Sequence, residues 1–349
     1  MVQNKQVIFT KVPTTFPEDG EHMQVRESTI DLDAHLTSGE IILKNLALSV
    51  DPYMRGRMRD PSVKSYSPAF PLNQPMTGST MSVVVKSNHP KFKEGDLVYG
   101  NTGMGIFEEY TRVGGVYLEK AYTVRNEPKE NGLPITNYLG VLGMPGMTAY
   151  VGLFKIGAPK KGETLYVSAA SGAVGQLVGQ MGKAFGLHVV GSAGSDEKVE
   201  YLKSIGFDGV FNYKTEDIDD KLGELCPNGI DIYFENVGGK MLECVIKRAN
   251  NFARIVACGM ISQYNREHPE PIHNLMQVVA KRLRIEGFIV GDHLDMEQEF
   301  REKVTKMLLN KEIQYKESVA HGIENTPKAL IDVLRGKNFG KQVVKIADL

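Results

Sequence analysis

Residues 169–175 have the types and spacing of a loop that binds phosphate groups. They read Ala-Ala-Ser-Gly-Ala-Val-Gly, follow a strand-like run and lead into a predicted helix. Gly172 lets a pyrophosphate approach the main chain, Gly175 allows close packing of helix and strand, and the helix N-terminus offers N–H groups to phosphates. Ala169 replaces the first glycine of the usual Gly-x-Gly-x-x-Gly pattern. The predicted phosphate-binding residues are Ala169, Ser171, Gly172, Ala173, Val174 and Gly175.

The residues after the second predicted strand indicate which dinucleotide binds. NAD sites usually place Asp or Glu about 20 residues past the turn, and counting from Gly172 that position is Ser192. A serine leaves room for a phosphate that an acid would repel, and Lys198 follows with a positive charge. Asp196 and Glu197 are expected to begin the next helix, where acids suit the dipole. Taken alone, Lys198 would be interpreted as a solvated surface lysine. Together with the absence of Asp or Glu at position 192, it predicts that the dinucleotide is NADPH.

The phosphate-binding pattern depends on its surroundings, since alone it also fits an ordinary strand–helix turn. Six strand-like runs follow residue 163, at 164–168, 187–192, 209–213, 230–234, 253–258 and 285–290. Helical candidates lie between them, at 173–185, 196–204, 216–225, 239–249 and 273–283. This alternation predicts a doubly wound parallel sheet with the six strands of a complete dinucleotide (Rossmann) fold.

The two ends of the chain differ from this middle part. Short apolar runs broken by glycine and proline predict a β-rich, barrel-like domain over the first 130 or so residues. The C-terminal residues have a pattern similar to that of the N-terminal part, with predicted helices at 295–310 and 326–335 and predicted strands at 314–319 and 342–346. We therefore predict an α/β chain in which a Rossmann domain, 133–311, is inserted in a discontinuous β-rich domain formed by 1–132 and 312–349.

The composition excludes several other classes of protein. With 41 basic and 42 acidic residues the net charge is −1, which gives no long-range attraction to nucleic acid or an anionic membrane. No run of about 18 apolar residues is present, so no membrane span is expected. Cys226, Cys244 and Cys258 form no Cys-x-x-Cys pair, and the N-terminus has no apolar leader. These features predict reduced thiols and a cytoplasmic location.

A catalytic metal is not predicted. Zinc in a dehydrogenase needs about three ligands from Cys, His and Asp or Glu, yet the predicted N-terminal domain contains no cysteine. Its histidines, His22, His35 and His89, have no ligand-like context, and His188 falls inside a predicted strand. The group that activates a substrate must then be a side-chain acid.

Five segments together are far more specific than the glycine pattern, namely 49–56 (Ser-Val-Asp-Pro-Tyr-Met-Arg-Gly), 143–150, 169–175, 234–239 and 336–341. On these segments the chain resembles the zinc-independent medium-chain reductases, and the resemblance covers nearly its whole length. The resemblance is to plant NADPH-dependent 2-alkenal (double-bond) reductases above all, and prostaglandin reductases are more distant. The resemblance implies a GroES-like β-rich catalytic domain, a homodimer and a cleft between two domains. It also implies hydride transfer from NADPH to the β-carbon of an α,β-unsaturated aldehyde or ketone.

The resemblance also assigns site residues by matching position. Lys198 and Tyr213 would hold the 2′-phosphate, and Pro52 and Tyr53 would lie near the nicotinamide and the substrate. The rest of the NADPH site would be lined by Asn236, Cys258, Tyr264, Phe288, Ile289, Val290 and Asn338.

Without a metal, a hydrogen-bond donor should stabilise the enolate that forms when hydride adds to an enal. Tyr264 and Tyr53 are the candidates, because a phenol stays protonated at neutral pH and can donate. Tyr264 follows the fifth Rossmann strand, at the sheet edge that binds ligands. Each also has a passive interpretation, Tyr264 packing on the cofactor and Tyr53 forming a pocket wall. Arg55 either orients substrate or makes a structural salt bridge.

Three other features are open to more than one interpretation. Cys258 is expected to pack beside the cofactor rather than act as a nucleophile. The run 99–105 either borders the substrate cleft or is an ordinary turn. Two other functions stay open, namely a quinone reductase of the same superfamily and a non-catalytic NADPH-binding protein.

Overall fold

The computed structural model describes residues 1–349 and divides into two compact units. The first unit comprises Met1–Gly140, Ser318–Asn338 and Gln342–Leu349, and the second comprises Val141–Glu317 and Phe339–Lys341. The unit boundaries therefore lie at Gly140 and Ser318, whereas the sequence suggested 132 and 312.

Local contacts explain both shifts. The 3₁₀ helix Ile135–Leu139 packs on two long strands of the first unit, so the chain leaves that unit after it. At the other boundary, Gln180 exchanges two hydrogen bonds of 2.8 Å with the main chain of Gln314, and Gln176 Oε1 accepts from Lys316 N at 2.9 Å. These side-chain bonds hold residues 314–316 on the second unit.

Sixteen strands are present: β1 Val2–Phe9, β2 Met23–Ile30, β3 Glu40–Ser49, β4 Gln74–Pro75, β5 Thr77–Ser87, β6 Leu97–Ile106, β7 Tyr110–Gly114, β8 Tyr122–Val124, β9 Thr164–Val167, β10 His188–Ala193, β11 Gly209–Asn212, β12 Ile230–Glu235, β13 Ala249–Ala257, β14 Arg284–Gly287, β15 Glu317–His321 and β16 Lys341–Lys345. The α-helices are α1 Met54–Arg57, α2 Gly115–Ala121, α3 Glu127–Asn131, α4 Met144–Val151, α5 Gly175–Phe185, α6 Asp196–Ser204, α7 Ile218–Leu225, α8 Gly239–Arg248, α9 Gln277–Lys281, α10 Glu297–Leu309 and α11 Thr326–Leu334.

The first unit is built on two sheets. A small antiparallel sheet has the order β2-β1-β4, and a larger one has the order β15-β16-β3-β5-β6-β8, with β7 paired to β3. Its apolar core includes Phe9, Met54, Phe70 and Phe107, all essentially inaccessible to solvent. Burying aromatic and methionine side chains of this size stabilises the unit by roughly 1.5–3 kcal/mol each. The short helix α1 is thereby anchored through Met54.

The second unit has a single six-stranded parallel sheet in the order β11-β10-β9-β12-β13-β14. Counted from β9 this order is 3-2-1-4-5-6, the arrangement of the complete dinucleotide fold. The buried ring of Tyr166 on β9 stacks between those of Phe211 on β11 and Tyr233 on β12. The predicted combination of a doubly wound sheet with a discontinuous β-rich domain is confirmed.

Several element bounds differ from the predicted ones. The helix expected at 273–283 contains only α9, because His273 and Asn274 instead bind Glu243 of α8 through its side chain and its main-chain oxygen. The helix expected from 216 begins at Ile218, because the Asp217 carboxylate accepts from the N–H groups of Asp219 and Asp220 and caps it. The last Rossmann strand is short and ends at Gly287.

No helix is both long enough and apolar enough to span a membrane. All three cysteines are free thiols, with Cys226 and Cys244 buried and Cys258 half-buried.

Candidate functional site

The turn between β9 and α5 is shaped by close main-chain contacts. Ala169 adopts a left-handed conformation with φ of 47°, and its carbonyl accepts from Gly172 N at 3.0 Å. A Cβ added at Gly175 would lie 2.6 Å from that carbonyl oxygen, so only glycine fits there. Gly172, Ala173 and Val174 remain partly exposed, whereas Ser171 is buried. Gln176 N donates to Gly172 O at 3.2 Å, and Leu177 N and Val178 N both donate to Val174 O at 3.1 Å. The N–H groups that suit an anion are therefore those that come before Gln176.

The segment Phe339–Lys341 runs beside this turn. Gly340 N donates to Ser171 O at 3.1 Å, and Gly340 has φ of 68°, which favours glycine. A Cβ at Gly340 would overlap the carbonyl of Lys316, so a side chain is excluded for a second reason. Asn338, the predicted cofactor residue, is half-buried at the end of the preceding turn and belongs to the first unit.

A cationic cluster surrounds Gly194, the residue that follows β10. A Cβ added at Gly194 would lie 2.9 Å from Tyr213 Oη and 3.1 Å from Lys214 Cε. Lys198 lies in the first turn of α6, where burial and the charge of Lys214 lower the pKa of its ammonium group. Its N–H donates to the capping Ser195 Oγ at 3.4 Å. Two lysines whose charges act on each other, with a phenol beside one of them, fit a phosphate group.

Ser192 does not take the place predicted for it. Its side chain is fully buried, and its Oγ lies 2.7 Å from Tyr166 Oη inside the sheet. The carbonyl of Ser192 accepts from Ala170 N at 2.9 Å and so supports the phosphate-binding turn through the main chain. Because β10 continues to Ala193, the first position beyond the strand is Gly194. As predicted, the acids that follow, Asp196 and Glu197, lie in the first turn of α6.

Asn236 lies where the strand order of the sheet reverses, between β9 and β12. Its N–H donates to Ser168 Oγ at 3.0 Å, and its Nδ2 donates to Ser168 O at 2.8 Å. The buried Glu235 holds the same loop by accepting from the N–H groups of Val237 at 2.6 Å and Gly238 at 2.9 Å. Burial raises the pKa of the Glu235 carboxyl. Asn236 is thus fixed at the point where doubly wound sheets bind ligands.

A pocket of about 480 Å³ opens at the carboxyl ends of β13 and β14. Four of the predicted site residues line it together, namely Cys258, Tyr264, Phe288 and Ile289. The other lining residues are Ala257, Gly259, Met260, Gly287 and Asp292. Val290, also predicted, begins the adjoining 3₁₀ helix and does not line this pocket.

The loop that carries Tyr264 is tied to the sheet. Tyr264 Oη accepts from Met260 N at 3.1 Å, and Ile261 N donates to Asn236 O at 3.0 Å. A phenol oxygen that accepts a hydrogen bond still carries its own proton. Burial raises the pKa of the neighbouring Cys258 thiol to about 12, so this thiol is not ionised at neutral pH. Tyr264 is therefore the candidate proton donor of this pocket, and Cys258 lines it as a neutral thiol.

Pro52 and Tyr53 lie in the turn that leads into α1 of the first unit. The Tyr53 hydroxyl is buried and has no hydrogen-bond partner. Burial raises the pKa of Tyr53 well above its ordinary range, Asp51 adds to the rise and Arg57 opposes it. Arg55 donates to the main-chain oxygen of Thr15 at 2.9 Å and anchors the N-terminal loop.

No group of three or more His, Cys, Asp or Glu side chains stands close enough to share a metal ion. His188 begins β10, where its Nε2 lies 3.0 Å from Leu225 O and its Nδ1 lies 3.5 Å from Asp208.

Sequence reasoning missed Lys214, Gly194 and the support given by Ser168 and Glu235. Lys214 had a usable signal, because it directly follows Tyr213 at the end of β11, and the carboxyl ends of neighbouring parallel strands share one edge. The hydrogen bonds of Ser168 and Glu235 had no signal in the sequence, because a serine and an acid at strand ends have many possible partners.

Comparison with known proteins gives a consistent grouping. Residues 173–310 match a family model described as zinc-binding dehydrogenase, and residues 5–115 match the N-terminal domain of oxidoreductase. The chain is 47% identical to 2-alkenal reductase (NADP(+)-dependent) of Nicotiana tabacum, covering 99% of this chain and 98% of that one. It is 42% identical to (+)-pulegone reductase of Mentha piperita, covering 99% of both.

Among solved structures, CurA of Vibrio vulnificus in complex with NADPH superposes with a TM-score of 0.87. The two sequences are 40% identical, and the match covers 99% of this chain and 100% of CurA.

Proposed function

The chain belongs to the zinc-independent medium-chain reductases that include NADP-dependent 2-alkenal reductase, and on this basis we propose that it uses NADPH to reduce the carbon–carbon double bond of α,β-unsaturated aldehydes and ketones. The observation that carries the proposal is the pocket at the ends of β13 and β14, where the Tyr264 phenol stands at the ligand-binding edge of the sheet. A protonated phenol there is the acid that a metal-free reduction requires.

The residues fit NADPH. A Cβ at Gly194 would lie 2.9 Å from Tyr213 Oη and 3.1 Å from Lys214 Cε, and the charge of Lys214 acts on Lys198. These three residues would hold the 2′-phosphate. The turn residues Ala169, Ser171, Gly172, Ala173, Val174 and Gly175 would hold the pyrophosphate, with Asn236, Cys258, Phe288, Ile289, Val290 and Asn338 lining the remainder. When bound, NADPH would supply a hydride from its dihydronicotinamide ring.

The chain's part in the reaction is to stabilise charge and direct protons. As a hydride adds to the β-carbon, the π electrons of the double bond move toward the carbonyl and place negative charge on its oxygen. A tyrosine hydroxyl, Tyr264 or Tyr53, donates a hydrogen bond to that oxygen and stabilises the enolate. A proton from solvent or a tyrosine then adds to the α-carbon. The products are the saturated carbonyl compound and NADP⁺.

We also propose a homodimer, which the free edge of β14 supports. This strand ends the sheet, and Ile285 on it is 40% exposed. Nearby in sequence, Met276, Val279 and Leu294 are even more exposed, at 77%, 81% and 63%. An unpaired strand edge beside exposed apolar side chains favours pairing with the same edge of a second copy.

A cytoplasmic location is part of the proposal and is supported by the three free thiols. A fluorescent fusion expressed in cells, compared with a cytosolic marker, tests it. Retention in a membrane-bound compartment would contradict it.

The test of the activity is a substrate panel with NADPH. It contains an enal, an enone, a hydroxycinnamaldehyde and a quinone, with products identified by mass spectrometry and NMR. We expect saturated carbonyl products from the first three. An allylic alcohol would contradict the site of hydride addition, turnover of the quinone alone would indicate a quinone reductase, and NADPH binding without any turnover would indicate a non-catalytic protein.

A further inference from the structure

The candidate contacts for NADPH follow the order of the strands in the second unit. Tyr213 directly follows β11, Lys198 lies in the helix after β10, and the turn 169–175 follows β9. The pocket that Tyr264 lines is on the other side of this turn, at the ends of β13 and β14. A sheet of this order binds one half of a dinucleotide on each side of its central strands. With the 2′-phosphate of the adenosine half beside β10 and β11, the nicotinamide half falls to the side of the pocket.

Asp292 is the only charged residue among those that line this pocket. Its main-chain N–H donates to Ile289 O at 3.0 Å, at the start of the 3₁₀ helix Val290–Met296. Its side chain is exposed, and its carboxylate has no hydrogen-bond or ion-pair partner within the chain. The Cys258 thiol in the same lining is not ionised at neutral pH. The pocket lining therefore carries one negative charge and no cation.

This charge acts on the part of the cofactor that changes in the reaction. NADP⁺ and NADPH share the 2′-phosphate and the pyrophosphate and differ in the nicotinamide ring, which is positively charged in NADP⁺ and neutral in NADPH. In the proposed reaction the hydride takes both electrons of its C–H bond to the β-carbon of the enal, so one positive charge remains on the ring. A fixed negative charge beside the ring therefore distinguishes the two forms.

We propose that Asp292 is a specificity-determining residue for the redox state of the cofactor, and that its carboxylate favours the binding of NADP⁺ relative to NADPH. This inference rests on the function proposed above. The carboxylate attracts the charged ring and has little effect on the neutral one, and the same attraction stabilises the charge that develops while the hydride leaves. Because Asp292 is exposed and its charge is partly screened, the expected effect on binding is about 3- to 10-fold.

The competing explanation is that Asp292 is a solvated acid at the start of a helix. Asp295 provides a matched control, because it lies in the same 3₁₀ helix, is exposed and pairs with Lys155 Nζ at 3.1 Å. Asp295 does not line the pocket. A general effect of removing one acid from this helix should therefore appear equally in Asp292→Asn and Asp295→Asn.

The experiment is isothermal titration of NADP⁺ and of NADPH into each variant, and the quantity compared is the Kd for NADP⁺ divided by the Kd for NADPH. Contacts with the phosphate groups cancel in this ratio. We expect the ratio to rise about 3- to 10-fold in Asp292→Asn, which removes the charge and keeps the shape, and to stay within about twofold of wild type in Asp295→Asn. An unchanged ratio in Asp292→Asn, or an equal rise in Asp295→Asn, would overturn the proposal.

Two further measurements separate charge from shape. Asp292→Glu keeps the charge, so its ratio should stay closer to wild type than that of Asp292→Asn. Raising NaCl from about 0.05 M to about 0.5 M should move the wild-type ratio toward that of Asp292→Asn, because salt screens an exposed charge, and should leave the ratio of Asp292→Asn nearly constant. A wild-type ratio that does not respond to salt would refute an electrostatic role.

Failure of this inference and failure of the proposed function give different results. If the enal rather than the nicotinamide ring occupies the pocket, Asp292→Asn should change the KM for the enal and leave the ratio unchanged, which refutes the role of Asp292 while C=C reduction stands. A wild-type chain that reduces no enal, yet shows the expected rise of the ratio in Asp292→Asn, would contradict the proposed function and support the role of Asp292.

Discussion

Lys198→Ala should weaken the binding of NADPH much more than that of NADH, so that the chain distinguishes these two dinucleotides less. Lys198 is half-buried, so its charge is less screened than that of a surface lysine. Burial and the neighbouring Lys214 both lower the pKa of its ammonium group, and a bound phosphate dianion would offset that repulsion. A hydrogen bond to a charged group contributes about 1.5–3 kcal/mol, which corresponds to about a 10- to 100-fold rise in the Kd for NADPH.

The assay is isothermal titration of NADPH and of NADH into the same preparations. NADH lacks the 2′-phosphate, so its Kd should change less than about threefold in Lys198→Ala. Lys203→Ala is the matched control, since Lys203 lies on the same helix and pairs with Glu200 at 2.7 Å on the surface. If NADPH and NADH weaken equally in Lys198→Ala, or if Lys203→Ala has the same effect, the phosphate assignment is wrong.

Further predictions concern catalysis, the turn and assembly. Tyr264→Phe should lower turnover of an enal about 10- to 100-fold with NADPH affinity intact, and unchanged turnover would remove Tyr264 from the mechanism. Gly175→Ala should raise the Kd for NADPH at least about 10-fold, because its Cβ would lie 2.6 Å from the Ala169 oxygen. Ile285→Glu should convert a dimer to a monomer in light scattering, whereas Val319→Glu, on the exposed edge strand β15, should not.

The order of the parallel sheet was predictable because alternating strands and helices leave few arrangements for a doubly wound fold. The phosphate-binding turn was predictable for a related reason, since close approach of the main chain demands small residues at fixed spacing. Gly175 illustrates this, because no side chain fits between α5 and Ala169. Patterns that arise from main-chain geometry are therefore visible in the sequence.

The face toward which a strand-end residue points was not predictable by counting. Ser192 has the right distance from Gly172, yet its hydroxyl points into the core toward Tyr166, and the open position is Gly194. Ser192 lies inside β10, which continues to Ala193, so an error of two residues in the predicted strand end puts a buried residue where the first loop residue was expected. The resemblance to known reductases names Lys198 and Tyr213 as phosphate-binding residues but does not supply Lys214.

Long-range side-chain contacts were equally hidden. Gln176 and Gln180 lie on the buried face of α5 and bind the main chain of residues 314–316, which moves the unit boundary. Helical periodicity marks these positions as interior but does not name a partner. The burial of Arg57 was hidden for the same reason, because nothing in its neighbours along the chain indicates that its side chain would bond the main-chain oxygens of Pro68 and Thr77.

Each unit contains positively charged side chains whose placement raises the energy of the folded chain. In the second unit, Lys198 and Lys214 repel each other at the end of β10. In the first, Arg57 is buried against carbonyl oxygens and a ring while no acid neutralises it. The chain as a whole has a net charge of −1, so neither feature reflects a basic composition. A bound 2′-phosphate, as proposed above for NADPH, would offset the repulsion between Lys198 and Lys214.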